Sequence, residues 1–546
     1  MRRLIVGQLT FSRLFYVLLF LLLILIVCTF RDYGITWDEQ WHATYGTYII
    51  WWYTSLFRNH KALEYMTMDF YGGFFEVVAQ GAARFSPFGP FETRHLISAL
   101  FGFLGVVYAF RLGKLLAGPF AGFLSALFLV LTPRFYGHAF FNNKDIPFAV
   151  MYLVSVYYII KSVEFMPRLS RGMMVTLGIA IGLDIGIRFN GIILFGYLVL
   201  AFVLWLLVRR IPEPGSRGMM AKVRSAVATF APRFLLVVAI SYGTALVWWP
   251  AAQVDPIGQP LKVLTETYNH LWMNEVFFEG VSVPVGELPW YYIEKWFLIT
   301  LPEFYFIALG IAAGLFGFAV VRRRNICKDD GFIGLSVLLA AALFPVAYAI
   351  VTGIVLYDSE RHFLFIVPLL AVLAAVPVSA FLTQSRFTAL RWIVAAMIVC
   401  ALVATAAEMR SLHPYEYLYF NRIFAGGFKE GAKSYETDYW GATYKEGAEW
   451  IVKNYQRING RKVKVASCSF PFSTEYFLPK DGFDYVGSYD YLKKMTGKDP
   501  DLFLATTRWH CHQTFNGRIV HIVERQGVPL LYVKEIGDSE KPSRPY

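Results

Sequence analysis

Charge is scarce in this sequence. Of its 546 residues only 16% are Asp, Glu, Lys or Arg while 56% are hydrophobic, and the mean hydropathy is positive at +0.47. An ordinary soluble enzyme of this length is more charged, so the chain is placed in a bilayer. Cysteine is sparse too. Cys28, Cys327, Cys400, Cys468 and Cys511 stand far apart, with no CxxC or other metal-ligand spacing, which argues against a zinc ribbon and a disulfide scaffold. No RNA- or DNA-binding motif occurs. The formal charge of +12 is therefore assigned to membrane topology and anionic headgroups, and no nucleic-acid partner is expected. Repeated halves, common in transporters, are not visible. The first apolar run, Leu14 to Phe30, follows Arg2 and Arg3 as a signal peptide would, but no small-residue cleavage site comes after it; it reads as an uncleaved first helix.

What the chain has in abundance is long apolar sequence. About 20 apolar residues cross about 30 Å of hydrocarbon. Eleven stretches qualify: Leu14 to Phe30, Leu96 to Leu112, Leu116 to Thr132, Ile146 to Ile160, Met173 to Ile187, Ile192 to Val208, Phe234 to Trp249, Phe304 to Val321, Phe332 to Leu356, Phe363 to Leu382 and Trp392 to Ala407. The fold class is mainly α, a polytopic membrane protein with about 11 transmembrane helices and a small extracytoplasmic α/β C-terminal domain.

Lys and Arg fix the expected orientation. With the N-terminus inside, one set of connections collects Arg111 and Lys114, Arg209 through Arg233, Arg322 through Lys328, and Arg386 with Arg391. The short turns opposite hold only Arg134, Lys144, Arg188 and Arg361. A multi-pass protein of the cell inner membrane is expected, with a cytoplasmic N-terminus and a periplasmic C-terminus. Residues 1–408 would form the membrane domain, with long outer loops 31–95 and 250–303 whose aromatic segments "WHATYGTYIIWWY" and "LPWYYIEKWF" suit interfacial helices. Residues 409–546 would form the outer domain, alternating a helix-like stretch ("YKEGAEWIVKNY") with strand-like ones ("KVKVASCS", "DLFLATT", "RIVHIVE", "PLLYVKE"). Cys468 and Cys511 both fall there, where a disulfide could persist, although the sequence does not set their distance.

The outer loops carry the candidate chemistry. In "RDYGITWDEQWHATYG" the run Thr36-Trp37-Asp38-Glu39 fits a capping box, with Glu39 returning a hydrogen bond to Thr36. That explains Glu39 and leaves Asp38 without a required partner. In "TPRFYGHAFFNNKDIPF", Arg134 and His138 would share a helical face, and Lys144 and Asp145 precede a span. The bland alternative makes Asp145 an N-cap and Arg134 an interfacial anchor. Asp184 and Arg188 in "GLDIGIRFNG" stand four apart and read first as a mutual pair. In "YDSERHF", Asp358, Glu360, Arg361 and His362 offer a guanidinium fork for phosphate oxygens, or one that pairs with its own neighbours. Together these form a cationic site for an anionic lipid headgroup, with a base for an acceptor.

An uncleaved first helix, a long loop opening on Asp-Glu, a second loop with Asp before a span and an outer C-terminal domain together resemble the GT-C glycosyltransferases. Within them the chain is similar to the protein mannosyltransferase and aminoarabinose transferase branch (glycosyltransferase family 39-like), through "TWDEQWHATYG" and "RFYGHAFFNNKDIP". The resemblance implies an inverting transferase that takes a sugar from a polyprenyl-phosphate carrier and gives it to an acceptor glycan, lipid or protein on the outer side. It implies Asp38 as catalytic base, with Asp145 and Glu39 in the catalytic set. Arg134, Lys144, His138, Arg188, Arg361 and His362 would surround the carrier phosphate. The family's Pro-Pro element is replaced here by "DFYGGFFEVV", so Tyr71 or Glu76 would stand in its place. The stretch His413 to Trp450, containing "YETDYWGATYKEGAEW", is similar to segments of bacterial members. Two other readings are a transporter or lipid flippase, and an oligosaccharyltransferase or ligase using a lipid diphosphate, in which Asp38, Glu76 and Asp145 would hold a divalent metal.

Overall fold

The computed structural model describes residues 2–209, 218–266, 275–321, 330–456, 458, 460–469, 471–488, 500–514 and 516–536. Arg210, Arg217, Arg322, Arg323, Arg324, Lys328 and Cys327, which entered the charge and cysteine readings, lie outside the described residues, as does part of the loop 250–303.

Each of the eleven apolar stretches falls on helix. Among the described residues eight helices are long and apolar enough to cross a membrane, or nine if the bent pair Tyr292–Thr300 and Glu303–Ala319, angled at 105°, is one span. The difference from eleven has two sources. Arg171–Ile185 has only 15 residues. Pro90–Val130 is a 41-residue helix broken at Ala117 and Gly118, where Gly118 takes φ 86° and Pro119 follows. A Cβ on Gly113 would lie 2.9 Å from the Ala121 carbonyl oxygen, and one on Gly122 would lie 2.6 Å from that of Phe110. The two halves therefore double back on each other at Gly118, whose left-handed backbone a glycine adopts at least cost.

Between the spans, two buried segments converge at one end of the bundle. Helix Pro133–Phe141 opens on Pro133, whose missing N–H costs nothing at a first turn. Its buried Gly137 lets the backbone of Glu416 and Tyr417 rest directly on it, a Cβ there lying 2.6 Å from the Tyr417 nitrogen. Helix Trp37–Thr54, the first aromatic segment, buries Glu39, His42, Tyr45, Gly46, Ile49 and Trp52 on one face.

The C-terminal part is a five-stranded mixed sheet in the order Phe483–Ser488, Val463–Ser467, Leu502–Thr506, Val528–Glu535, Arg518–Arg525; the first three run parallel and the last two antiparallel. Helix Tyr444–Asn454 packs on it through Gly447, Ala448 and Ile451. The four strand-like stretches and the helix-like one match these elements. Phe483–Ser488 was not anticipated: it is an edge strand with one buried residue and an Asp and a Gly in six, so it lacks the alternation that marks a strand. A short hairpin, Glu275–Phe278 with Val281–Pro284, also appears where only interfacial helices were expected. Cys468 and Cys511 are disulfide-bonded, their Cα atoms 6.1 Å apart.

Candidate active site

Thr36 caps the helix Trp37–Thr54 in a complete capping box. Glu39 Oε1 accepts from the Thr36 amide at 2.8 Å and hydroxyl at 3.1 Å, while Oε2 meets His95 Nε2 at 2.9 Å, and the side chain is fully buried. One residue is about 100° of helical turn, so Asp38 points elsewhere. Its Oδ2 accepts from Arg361 Nη1 at 3.3 Å, and 30% of its side chain stays exposed.

Arg361 is the hub. Nη1 also lies 3.8 Å from Asp145 Oδ2, and Nη2 donates to Asp358 Oδ2 at 3.0 Å. Its guanidinium stands 4.7 Å over the Trp440 ring and is almost wholly buried. Asp145 opens its helix with its amide held by Asn142 Oδ1 at 2.9 Å, so Asn142 and not Asp145 satisfies the helix start. The Asp145 carboxylate is thereby released for Arg188, Arg361 and the Asn142 side-chain amide, the last at 3.0 Å. Arg188 thus pairs with Asp145, which corrects the expected pair with Asp184; among the described residues neither Asp184 carboxylate oxygen has a hydrogen-bond partner.

Lys144 completes the inner group. Its ammonium sits 4.8 Å over the Tyr71 ring, and among the described residues no carboxylate comes within ion-pair distance of it. Tyr71 in turn pairs its backbone with Arg188, and Lys144 is the main cause of a phenol pKa held below the ordinary value. So Tyr71 takes a place in the site. Glu76 does not: it binds His42 at 3.0 Å and Arg94, away from the cluster. His362 packs edge-on against Tyr357 beside Arg361, its Nδ1 unpartnered.

Arg134 and His138 form a layer behind. Arg134 donates to Glu360 and Ser359 at 3.1 Å and to the Tyr419 carbonyl at 3.0 Å, between the rings of Trp296 and Phe420. It is a buried brace rather than an interfacial anchor. His138 lies between Tyr439 Oη, 2.9 Å from Nε2, and the Asn142 amide, 3.2 Å from Nδ1. Burial pushes its imidazole down to about 3, against the pull of Asp145, so it is neutral at pH 7. Through Asn142 it reaches Asp145.

Several residues of the cluster were not singled out from sequence. Asp438 accepts from the Gly441, Ala442 and Thr443 amides and from the Thr443 and Tyr417 hydroxyls, and so shapes the Tyr439–Trp440–Gly441 turn. That turn sets Trp440 over Arg361 and lets its indole donate to Asp358 at 3.3 Å. Arg508, from the sheet, donates to Asp358 Oδ1 at 2.6 Å. Its further neighbour Glu436, 3.7 Å away, is pushed by burial up to about 7 despite Arg508. The sequence signal for that turn was the stretch His413 to Trp450, with an acid and aromatics adjoining glycine in "TDYWG". Asp358 and Ser359 both hold left-handed backbone, φ 57° and 62°, with the Ser359 amide donating to Tyr292 Oη at 3.2 Å.

Chemically, this is an acidic side chain facing outward from a nest of guanidinium and ammonium groups. Asp38 is the accessible carboxylate; Asp145 and Asp358 are consumed in orienting arginines. Among the described residues no three His, Cys, Asp or Glu side chains converge as metal ligands, and Asp38 and Asp145 both turn to Arg361 while Glu76 lies apart. The donors do not fit a divalent ion, and no step is routed through one. A cavity of about 790 Å³ opens elsewhere, between Arg31, Phe88 and His413 on one side and Lys445, Phe477 and Arg525 on the other; none of the cluster lines it.

A family described as "Dolichyl-phosphate-mannose-protein mannosyltransferase" matches residues 91–241. No curated protein matches the chain. Among solved structures, ArnT from Cupriavidus metallidurans in the apo state is 13% identical with a TM-score of 0.50, covering 96% of this chain and 98% of its own. The same protein bound to undecaprenyl phosphate is 14% identical, covering 97% and 99%, with a TM-score of 0.48. An Archaeoglobus fulgidus oligosaccharyltransferase tethered to an acceptor peptide is 12% identical, covering 87% and 64%, with a TM-score of 0.47. The apo ArnT likeness runs nearly end to end, so the chain shares that fold through both its helices and its terminal sheet, and the mannosyltransferase family match falls within the helical part.

Proposed function

We propose that this protein is a membrane glycosyltransferase that moves a sugar from a polyprenyl-phosphate carrier to an acceptor on the outer side of the membrane. One observation carries the reading: the partly exposed Asp38 carboxylate sits 3.3 Å from Arg361 in a cluster that also holds Arg188 and Lys144. The GT-C fold and the mannosyltransferase match support the donor class.

The acceptor hydroxyl or amine gives its proton to Asp38 and attacks the anomeric carbon. The bond from that carbon to the carrier phosphate breaks, and the phosphate leaves with the electron pair. Lys144, with no carboxylate within ion-pair distance among the described residues, would receive that leaving group, with Arg188 and Arg361 adding to the field. Asp145 is buried between two arginines and has no free approach to a sugar. A single accessible carboxylate supports one direct displacement, and hence inversion.

Asp38→Asn is expected to lower kcat by about 10²- to 10⁴-fold, with thermal unfolding in detergent close to wild type because the side chain is partly exposed. Sugar transfer from a purified polyprenyl-phosphate donor, read by release of the free carrier, checks it. Full activity in the folded variant overturns the assignment.

A further inference from the structure

The strand Leu502–Thr506 runs into a turn, Arg508–Gln513, in which Trp509 and His510 both hold left-handed backbone, φ 52° and 53°. Two consecutive residues with side chains keep that conformation only where their surroundings impose it. Here the Cys468–Cys511 bond ties the turn to the end of the neighbouring strand Val463–Ser467. The turn projects Arg508 out of the sheet and into the membrane-domain cluster.

Arg508 is 3% exposed there. Its guanidinium carbon lies 4.6 Å from the ring centres of both Trp37 and Trp509, which are 6.0 Å apart with their planes within 7° of parallel. It donates to Asp358 Oδ1 at 2.6 Å and to the Tyr439 carbonyl. Asp358 is shared: Oδ1 takes Arg508 and Oδ2 takes Arg361. Arg508 therefore grips the base from two directions, through Trp37, which precedes Asp38 in the chain, and through Asp358 and Arg361. Buried beneath the cluster, it has no path to a substrate.

We infer that Arg508 is a positioning residue for Asp38 and Arg361, and that the Cys468–Cys511 bond holds it in place, so that the C-terminal sheet is part of the reaction site. The activity readout rests on the transferase reading above. A displacement of about 1 Å in a reacting group costs about 100-fold in rate. Arg508→Gln in the full-length protein is expected to lower kcat by that order while KM for the lipid donor changes less than about threefold. Arg508→Lys, which keeps the charge and loses the fork, is expected to recover part of the loss.

Cys468→Ser with Cys511→Ser is expected to lower kcat similarly, and the triple variant to be no worse than the greater of the two, since both changes act on one element. Thermal unfolding separates folding defects from misplacement, and Arg508→Lys decides the matter if Arg508→Gln does not fold. Wild-type kcat in folded Arg508→Gln or Arg508→Lys, or full multiplicativity in the triple variant, overturns the inference. Absence of transfer by wild type from any polyprenyl-phosphate sugar sinks the transferase reading instead; resistance of the turn to hydrogen exchange, lost in Arg508→Gln and in the serine pair alike, then decides the coupling without activity.

Discussion

Burial alone would raise the Asp38 carboxyl, but Lys144, Arg361 and His42 around it more than offset this and hold it below the usual carboxylate range, against Asp145. A base depressed in this way stays ionised as the pH falls. Its contribution to kcat/KM is therefore expected to be flat from neutrality to about pH 4, the ordinary carboxylate value, and to fall only below that. Lys144→Ala removes the largest of the lowering charges, so its acid limb should move upward; a pH–rate profile in which the limb stays put would contradict the arrangement. The contrast between Asp38 and Glu39 was legible beforehand, because a capping box spells out its own partners. The partners of Asp38 were not, since Arg361 lies in a turn more than 300 positions away and no local rule ties it to Asp38. Arg134 shows the reverse difficulty. Its residue type suited a phosphate, yet its fork is spent on Glu360, Ser359 and Tyr419.

At the level of elements, the helix Trp37–Thr54 matters because its first turn aims the base. Thr36→Ala removes the cap and leaves the buried Glu39 with fewer donors, at an expected cost of about 1 kcal/mol. A lowered unfolding temperature together with reduced transfer would show that cap and base are coupled; a stability loss with unchanged kcat would separate them. The long apolar helices were readable, because apolar runs of this length have few alternatives, whereas shorter ones such as Phe74–Ala83 and Gly258–Glu266 were not. That a break falls in this region was implied by reading Leu96 to Leu112 and Leu116 to Thr132 as separate stretches, although the turn itself lies at Gly118, inside the second of them. The bracing of Gly137 under Tyr417 was not, because a glycine in sequence does not say what approaches it. Likewise the strand Phe483–Ser488 is made by its neighbour and not by its own pattern.

Across the whole molecule, the cluster draws on the first loop, the turn before Asp145, the Asp358–Arg361 segment, the Trp440 turn and Arg508. Membrane class, helical content and the terminal sheet followed from composition and periodicity. The union of that sheet with the membrane helices did not, since nothing in either part announces the other. A chain ending after Leu412 is expected to insert but not to transfer sugar, as Trp440 and Arg508 would be missing; activity in that truncation would show the sheet to be dispensable. There is a consequence for how the protein is made. Synthesis adds about 5–20 residues per second, so Arg508 follows Asp38 by roughly 20 to 90 seconds, and with the C-terminus placed outside as proposed it would then have to cross the bilayer and be stapled by oxidation. During that interval the nascent chain would hold the proposed base, Asp38, without Arg508 to position it. On the proposed reading, transfer would begin only once the last domain has been exported and oxidised, and a cell that fails at either step would accumulate an inert helical bundle rather than a misdirected enzyme.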